Sequence, residues 1–137
     1  MAEGVQLMRE WYEGVDGHDL DRTLAACAPD CEVVAPGVTV KGREEIRAFL
    51  QGFLDAMPDI EHRTQHITAA DDDLVVVELT GYGTHTGNLS SPDGPIAPTG
   101  KSVELRSCGV SKIADGKIAS YHLYWDQMQF LGQLGLL

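Results

Sequence analysis

Apolar residues recur at helical spacing over residues 3 to 15. Val5, Met8, Trp11, Tyr12 and Val15 fall on one stripe, which predicts a first amphipathic helix. The polar run "DGHDLD" interrupts it, and Asp19 or Asp21 is placed to cap a second helix over about Leu20 to Ala28, stopped by Pro29. "CEVVAPGVTV" is β-rich and turn-punctuated, one or two short strands. In "KGREEIRAFLQGFLDAMPD", Ile46, Phe49, Leu50, Phe53, Leu54 and Met57 share a face, which predicts a third helix ended by Pro58. Glu44 and Glu45 stand in its first turn, where the helix dipole favours them.

Beyond Pro58 the period changes to that of strands. "IEHRTQHITA", "DLVVVELTGYGTHTG", "KSVELRSCGVSKI" and "KIASYHLYW" are four candidates, the last two joined across Asp115-Gly116, a strong hairpin signal. Between the second and third lies "NLSSPDGPIAPTG", a long Pro- and Gly-rich loop expected near a pocket mouth or exposed. Helices first and then an antiparallel meander predict an α+β fold in one domain spanning residues 1–137. A strongly twisted sheet with three N-terminal helices on one face curls toward a cone, whose open end can leave a pocket.

Composition narrows the function. The formal net charge is −11, which argues against nucleic acid and against anionic membrane surfaces. No apolar run is long enough to span a bilayer, and "MAEGVQLMREWYEG" lacks the pattern of a signal peptide. Three cysteines, Cys27, Cys31 and Cys108, make no disulfide framework and suit a reducing compartment, so a cytoplasmic location is expected. His62 and His66 lie four apart on a predicted strand, sharing a face with wide separation and no carboxylate at metal spacing, so no metal site is expected.

The segments "PGVTVKGREEIRAFLQGF", "MPDIEH", "GYGTHTG", "PTGKSVE", "DGKI" and "DQMQFLGQLG" fall in an order that resembles the SnoaL-like polyketide cyclases of the NTF2-like superfamily, over residues 29 to 135. The resemblance implies an NTF2-like cone, a curved mixed or antiparallel sheet wrapped around the helices with a deep apolar pocket, often dimerising through the outer sheet face. It implies a small, apolar, cyclic or polyketide-like ligand and an intramolecular aldol closure without cofactor. In that family an aspartate in the last strand acts as acid/base, helped by a histidine on the preceding strand and an asparagine near the first. An ungapped reading through "DGK" puts Leu123 at the aspartate position and Gly109 at the histidine position, and counting from Pro29 puts Val33 at the asparagine position.

With Ala114, Asp115 and Gly116 as a three-residue loop, 105 faces 125, 107 faces 123 and 109 faces 121. Leu105, Ser107, Gly109, Tyr121, Leu123 and Trp125 then share the face assigned to the pocket, with Gly109 enlarging it. Glu104, Arg106, Cys108, Val110, His122, Tyr124 and Asp126 share the other, and a two-residue loop shifts the register by one and brings Asp126 inward. Trp11, Tyr12, Phe49 and Phe53 from the helices, and Tyr82, complete the expected substrate-binding set.

Asp126 and His85 are the candidate catalytic acid/base groups. Asp126 has a structural alternative, since Gln129 follows it at capping-box spacing. His85 has another, a buried ring bonded to backbone or hydroxyl partners such as Thr84 or Thr86. Three readings follow: a cofactor-independent cyclase- or isomerase-like enzyme; a non-catalytic binder that kept the pocket; and, ranked lowest, an epoxide hydrolase-like enzyme, for which "ELR" holds Glu104 and Arg106 on the outward face. The expected partners are a small apolar molecule and a second copy in a homodimer through Cys108, Val110 and Tyr124.

Overall fold

A computed structural model describes residues 2–137. In chain order the elements are α1 (Ala2–Asp16), α2 (Leu20–Ala25), β1 (Cys27–Ala35), β2 (Val38–Lys41), α3 (Arg43–Ala56), β3 (Glu61–Asp71), β4 (Leu74–Thr84), β5 (Ser102–Ala114), β6 (Lys117–Trp125) and α4 (Gln127–Gln133). The strands form one curved sheet in the order β2-β1-β6-β5-β4-β3. Every neighbouring pair is antiparallel except β1 with β6, so the sheet is mixed. Helix α1 packs on β3, β4 and β6, and α3 packs on β1 and β2, which puts the helices inside the curve. The apolar stripe read from residues 3 to 15 explains this: Met8, Trp11, Tyr12 and Val15 are buried there against Ile46, Leu54, Val77, Leu79 and Tyr121.

Two predicted boundaries move. The second helix ends at Ala25, and Cys27, Ala28 and Pro29 belong to β1. Proline has no N–H for the ladder, and the chain accommodates it by breaking the β1–β6 register between Cys27 and Glu32. The β5–β6 hairpin turns on two residues, with Ala114 opposite Lys117 and both Asp115 and Gly116 at positive φ, as a type I′ turn requires. A bulge at Ala119 then restores the alternation, because Ile113 opposes Ile118 whereas Lys112 opposes Ser120. Ser107 therefore faces Trp125 and Gly109 faces Leu123, a slip of two residues from the three-residue-loop register. A slip of two preserves which face each side chain takes, so the expected face sharing survives and Asp126 does not turn inward.

The long loop after β4 folds back on itself through a bridge between Leu89 and Ile96. Leu89 packs with Ala56, Met57, Val103, Phe130 and Leu134 in a second core at the end of the sheet. There β6 has ended, leaving β5 with a free edge at Glu104. The Gln133 side chain takes the missing strand's place: its Oε1 accepts from Glu104 N–H at 2.8 Å and its Nε2 donates to Glu104 C=O at 2.9 Å.

Candidate functional site

A cavity of about 110 Å³, open on one side, lies between the helices and the concave sheet face. Helices α1 and α3 contribute Trp11, Tyr12, Val15, Phe49, Leu50 and Phe53, the sheet contributes His62, Leu79, Gly81, Tyr82, Val103, Leu105, Ser107, Leu123 and Trp125, and α4 adds Phe130. Phe49, Phe53 and Trp125 form a chain of edge-to-face rings, with centroids 5.3 and 6.3 Å apart. Nine of the eleven expected substrate-binding residues thus line the cavity: Trp11, Tyr12, Phe49, Phe53, Tyr82, Leu105, Ser107, Leu123 and Trp125. Tyr82 does so with the Arg63 guanidinium 4.6 Å from its ring centroid.

Gly109 and Tyr121 are the exceptions. Gly109 does not enlarge the cavity, because Tyr121 occupies the space: a Cβ at 109 would lie 2.3 Å from Tyr121 Cε1. The Tyr121 hydroxyl meets that of Tyr12 at 2.6 Å, both rings buried. Burial pushes both phenols above the ordinary tyrosine value.

Asp126 and His85 lie apart from this wall. Asp126 is exposed and is the N-cap of α4, its carboxylate accepting from Gln129 N–H at 3.1 Å. His85 is fully buried, with Nδ1 accepting from Thr99 N–H at 3.2 Å; its partner is Thr99, across the long loop, and not Thr84 or Thr86. The backbone reinforces that clasp through His85 N–H to Lys101 C=O and Gly100 N–H to His85 C=O, both 2.9 Å. Glu104 and Arg106 are exposed, and no arginine or carboxylate lines the cavity among the described residues, which removes the arrangement an epoxide hydrolase-like site needs.

The polar group that the strand spacing misplaced is His62. A bulge at Gln65 separates it from His66: Thr64 opposes Leu79, whereas His66 opposes Glu78. The two histidines therefore take opposite faces. His66 is exposed and His62 borders the cavity. Asp16, the last residue of α1, accepts from His62 N–H at 2.8 Å with Oδ2 and contacts Nδ1 at 2.6 Å with Oδ1. The imidazole packs on Tyr12, with ring centroids 4.9 Å apart. Spacing of four on a strand hides this, and Asp16 reads as part of a polar loop. Among the described residues no group of His, Cys, Asp or Glu is arranged to hold a metal ion.

The family model for the SnoaL-like domain matches residues 8–121. The chain belongs to the SnoaL-like family. Among solved structures it is similar to AclR, a candidate hydroxylase from Streptomyces galilaeus, at 25% identity and a TM-score of 0.82, covering 100% of this chain and 87% of that one. It is also similar to a candidate SnoaL-like polyketide cyclase from Jannaschia sp. CCS1, at 18% identity and a TM-score of 0.87, covering 99% and 94%. A third is IdmH, a candidate polyketide cyclase from Streptomyces antibioticus, at 25% identity and a TM-score of 0.77, covering 95% and 96%. No curated protein matches. The architecture of this SnoaL-like chain is the NTF2-like cone that its sequence led one to expect. No helix among the described residues is long and apolar enough to cross a membrane.

Proposed function

We propose that this SnoaL-like protein is a cofactor-independent enzyme that transfers protons on an apolar, cyclic carbonyl compound, in the manner of a polyketide cyclase or isomerase. The observation that carries this reading is the cavity itself, whose wall is aromatic and aliphatic apart from a few polar side chains, Tyr12, His62, Tyr82 and Ser107. A dry wall with sparse polar groups orients a ligand and strengthens each hydrogen bond it makes. An apolar cavity of about 150 Å³ admits benzene, so the 110 Å³ here is smaller than a one-ring site and a cyclic ligand extends through the open side. Removing a proton beside a carbonyl needs a placed base and no redox partner. The similarity to IdmH, a candidate polyketide cyclase, supports the same class.

The second reading, a non-catalytic binder, draws on Val33, Gly109 and Leu123, which offer no acid/base group at the positions the family resemblance assigns to one. Thermal shift against a panel of polycyclic polyketides, steroids and aromatic ketones, with chromatography and mass analysis of each mixture, separates the two. An enzyme returns its stabilising ligand as an isomer of unchanged mass, and a binder returns it intact. The outer sheet face, with Val110, Cys108 and a Tyr124 that is 59% exposed, supports a homodimer. Sedimentation should give twice the monomer mass, and a clean monomer contradicts that assembly.

A further inference from the structure

We infer that the acid/base of this cavity is His62, positioned by Asp16, where α1 meets the edge strand β3, and that the group it serves is an enolisable ketone. This rests on the proton-transfer reading above and adds to it the residues and the bond that reacts.

The geometry carries the assignment. Oδ1 of Asp16 is an acceptor, so the proton of the neutral imidazole sits on Nδ1 and the lone pair on Nε2. The second carboxylate oxygen holds the backbone N–H of the same histidine, so ring and strand are fixed together. This is the base-and-orienting-carboxylate arrangement that catalytic histidines use on unrelated folds. Gly81 faces the ring from β4: a Cβ there would come within 3.4 Å of Cδ2 and 3.6 Å of Nε2, so the glycine leaves that edge uncovered by a side chain. His62 is the one imidazole among the described side chains that line the cavity, and that wall holds no Asp, Glu, Lys, Arg or Cys.

The reaction balances without a co-reactant. Nε2 takes a proton from the carbon beside the carbonyl. The C–H pair becomes the C=C of an enolate and the carbonyl π pair moves to oxygen, which Tyr12 stabilises by donating its phenol hydrogen bond while Tyr121 donates to Tyr12. The enolate carbon then attacks a second carbonyl carbon of the same molecule, and the new alkoxide recovers the proton from Nε2–H. In an isomerisation the proton returns to a different carbon instead. His62 is the catalytic residue and Asp16 a positioning residue.

The test is hydrogen–deuterium exchange of 2-tetralone, an apolar ketone with acidic C–H bonds, followed by NMR in D₂O with the wild type, His62→Gln, Asp16→Asn and His66→Gln. Binding is read from Trp11 and Trp125 fluorescence, folding from melting temperature, and the His62 tautomer from ¹⁵N NMR. The wild type is expected to accelerate exchange and to show Nδ1–H. His62→Gln loses the acceleration by about 10²- to 10⁴-fold, the range a general base supplies, yet binds the ketone and melts as the wild type does. Asp16→Asn loses part of the rate together with the Nδ1–H tautomer, and His66→Gln, on the outer face, changes nothing. Exchange by His62→Gln at the wild-type rate overturns the dyad and leaves the enzyme reading standing. A wild type that binds 2-tetralone without exchanging it overturns both and leaves a binder. An Nε2–H tautomer, or no binding at all, overturns the assignment as well.

Discussion

Tyr12 and Tyr121 illustrate how one residue's environment sets its chemistry. Their hydroxyls face each other at 2.6 Å in the core, and burial holds both phenols protonated above the ordinary value of 10.0. In the unfolded chain they ionise normally. Above pH 10 the unfolded state therefore binds fewer protons than the native one, and stability falls as pH rises. Absorbance titration at 295 nm, compared between the wild type and Tyr12→Phe and Tyr121→Phe, should show these two phenols staying protonated past pH 10 in the native protein and ionising on alkaline unfolding. Gly109 belongs to the same group of atoms. Its Cβ in Gly109→Ala would strike Tyr121 Cε1 at 2.3 Å. Overpacking of this kind costs about 1–3 kcal/mol, to be read by denaturant unfolding as a lower midpoint with an unchanged slope. The three-residue-loop reading of the hairpin sets 109 opposite 121 but takes the glycine to enlarge the cavity; in the structure its strand partner is Leu123, and the Tyr121 ring lies across it and fills the space.

At the level of elements, helical periodicity located α1 and α3 well, because a buried stripe fixes the spacing of apolar residues. Alternation located the strands equally well but misjudged what crossed them. Bulges at Gln65 and Ala119 each insert one residue, and a single insertion reverses every side chain beyond it. One bulge hid His62 behind an apparent pairing with His66; the other cancelled the shift of the two-residue turn and left Asp126 exposed. Asp126 caps a helix of seven residues that reaches the cavity through Phe130. Asp126→Ala should cost about 1 kcal/mol and lower the melting temperature by a few degrees, while affinity for a cavity ligand is kept.

Across the whole molecule, the cone, the apolar cavity and most of its lining were legible from pattern and family resemblance, because both depend on many residues at once. The acid/base was not, because it depends on one helix end meeting one strand, residues 16 and 62, forty-six positions apart. The positions that the family resemblance assigns to acid/base groups carry Gly109 and Leu123 here, and the α1–β3 edge of the sheet carries the histidine and its carboxylate. The most direct comparison sets His62→Gln beside Asp126→Asn in one assay, measuring turnover of a stabilising ketone and melting temperature for both. The expected result is a split: His62→Gln keeps its melting temperature and loses turnover, and Asp126→Asn keeps turnover and loses stability. Turnover lost in Asp126→Asn with an unchanged melting temperature, and retained in His62→Gln, would contradict the placement of the chemistry on the α1–β3 wall.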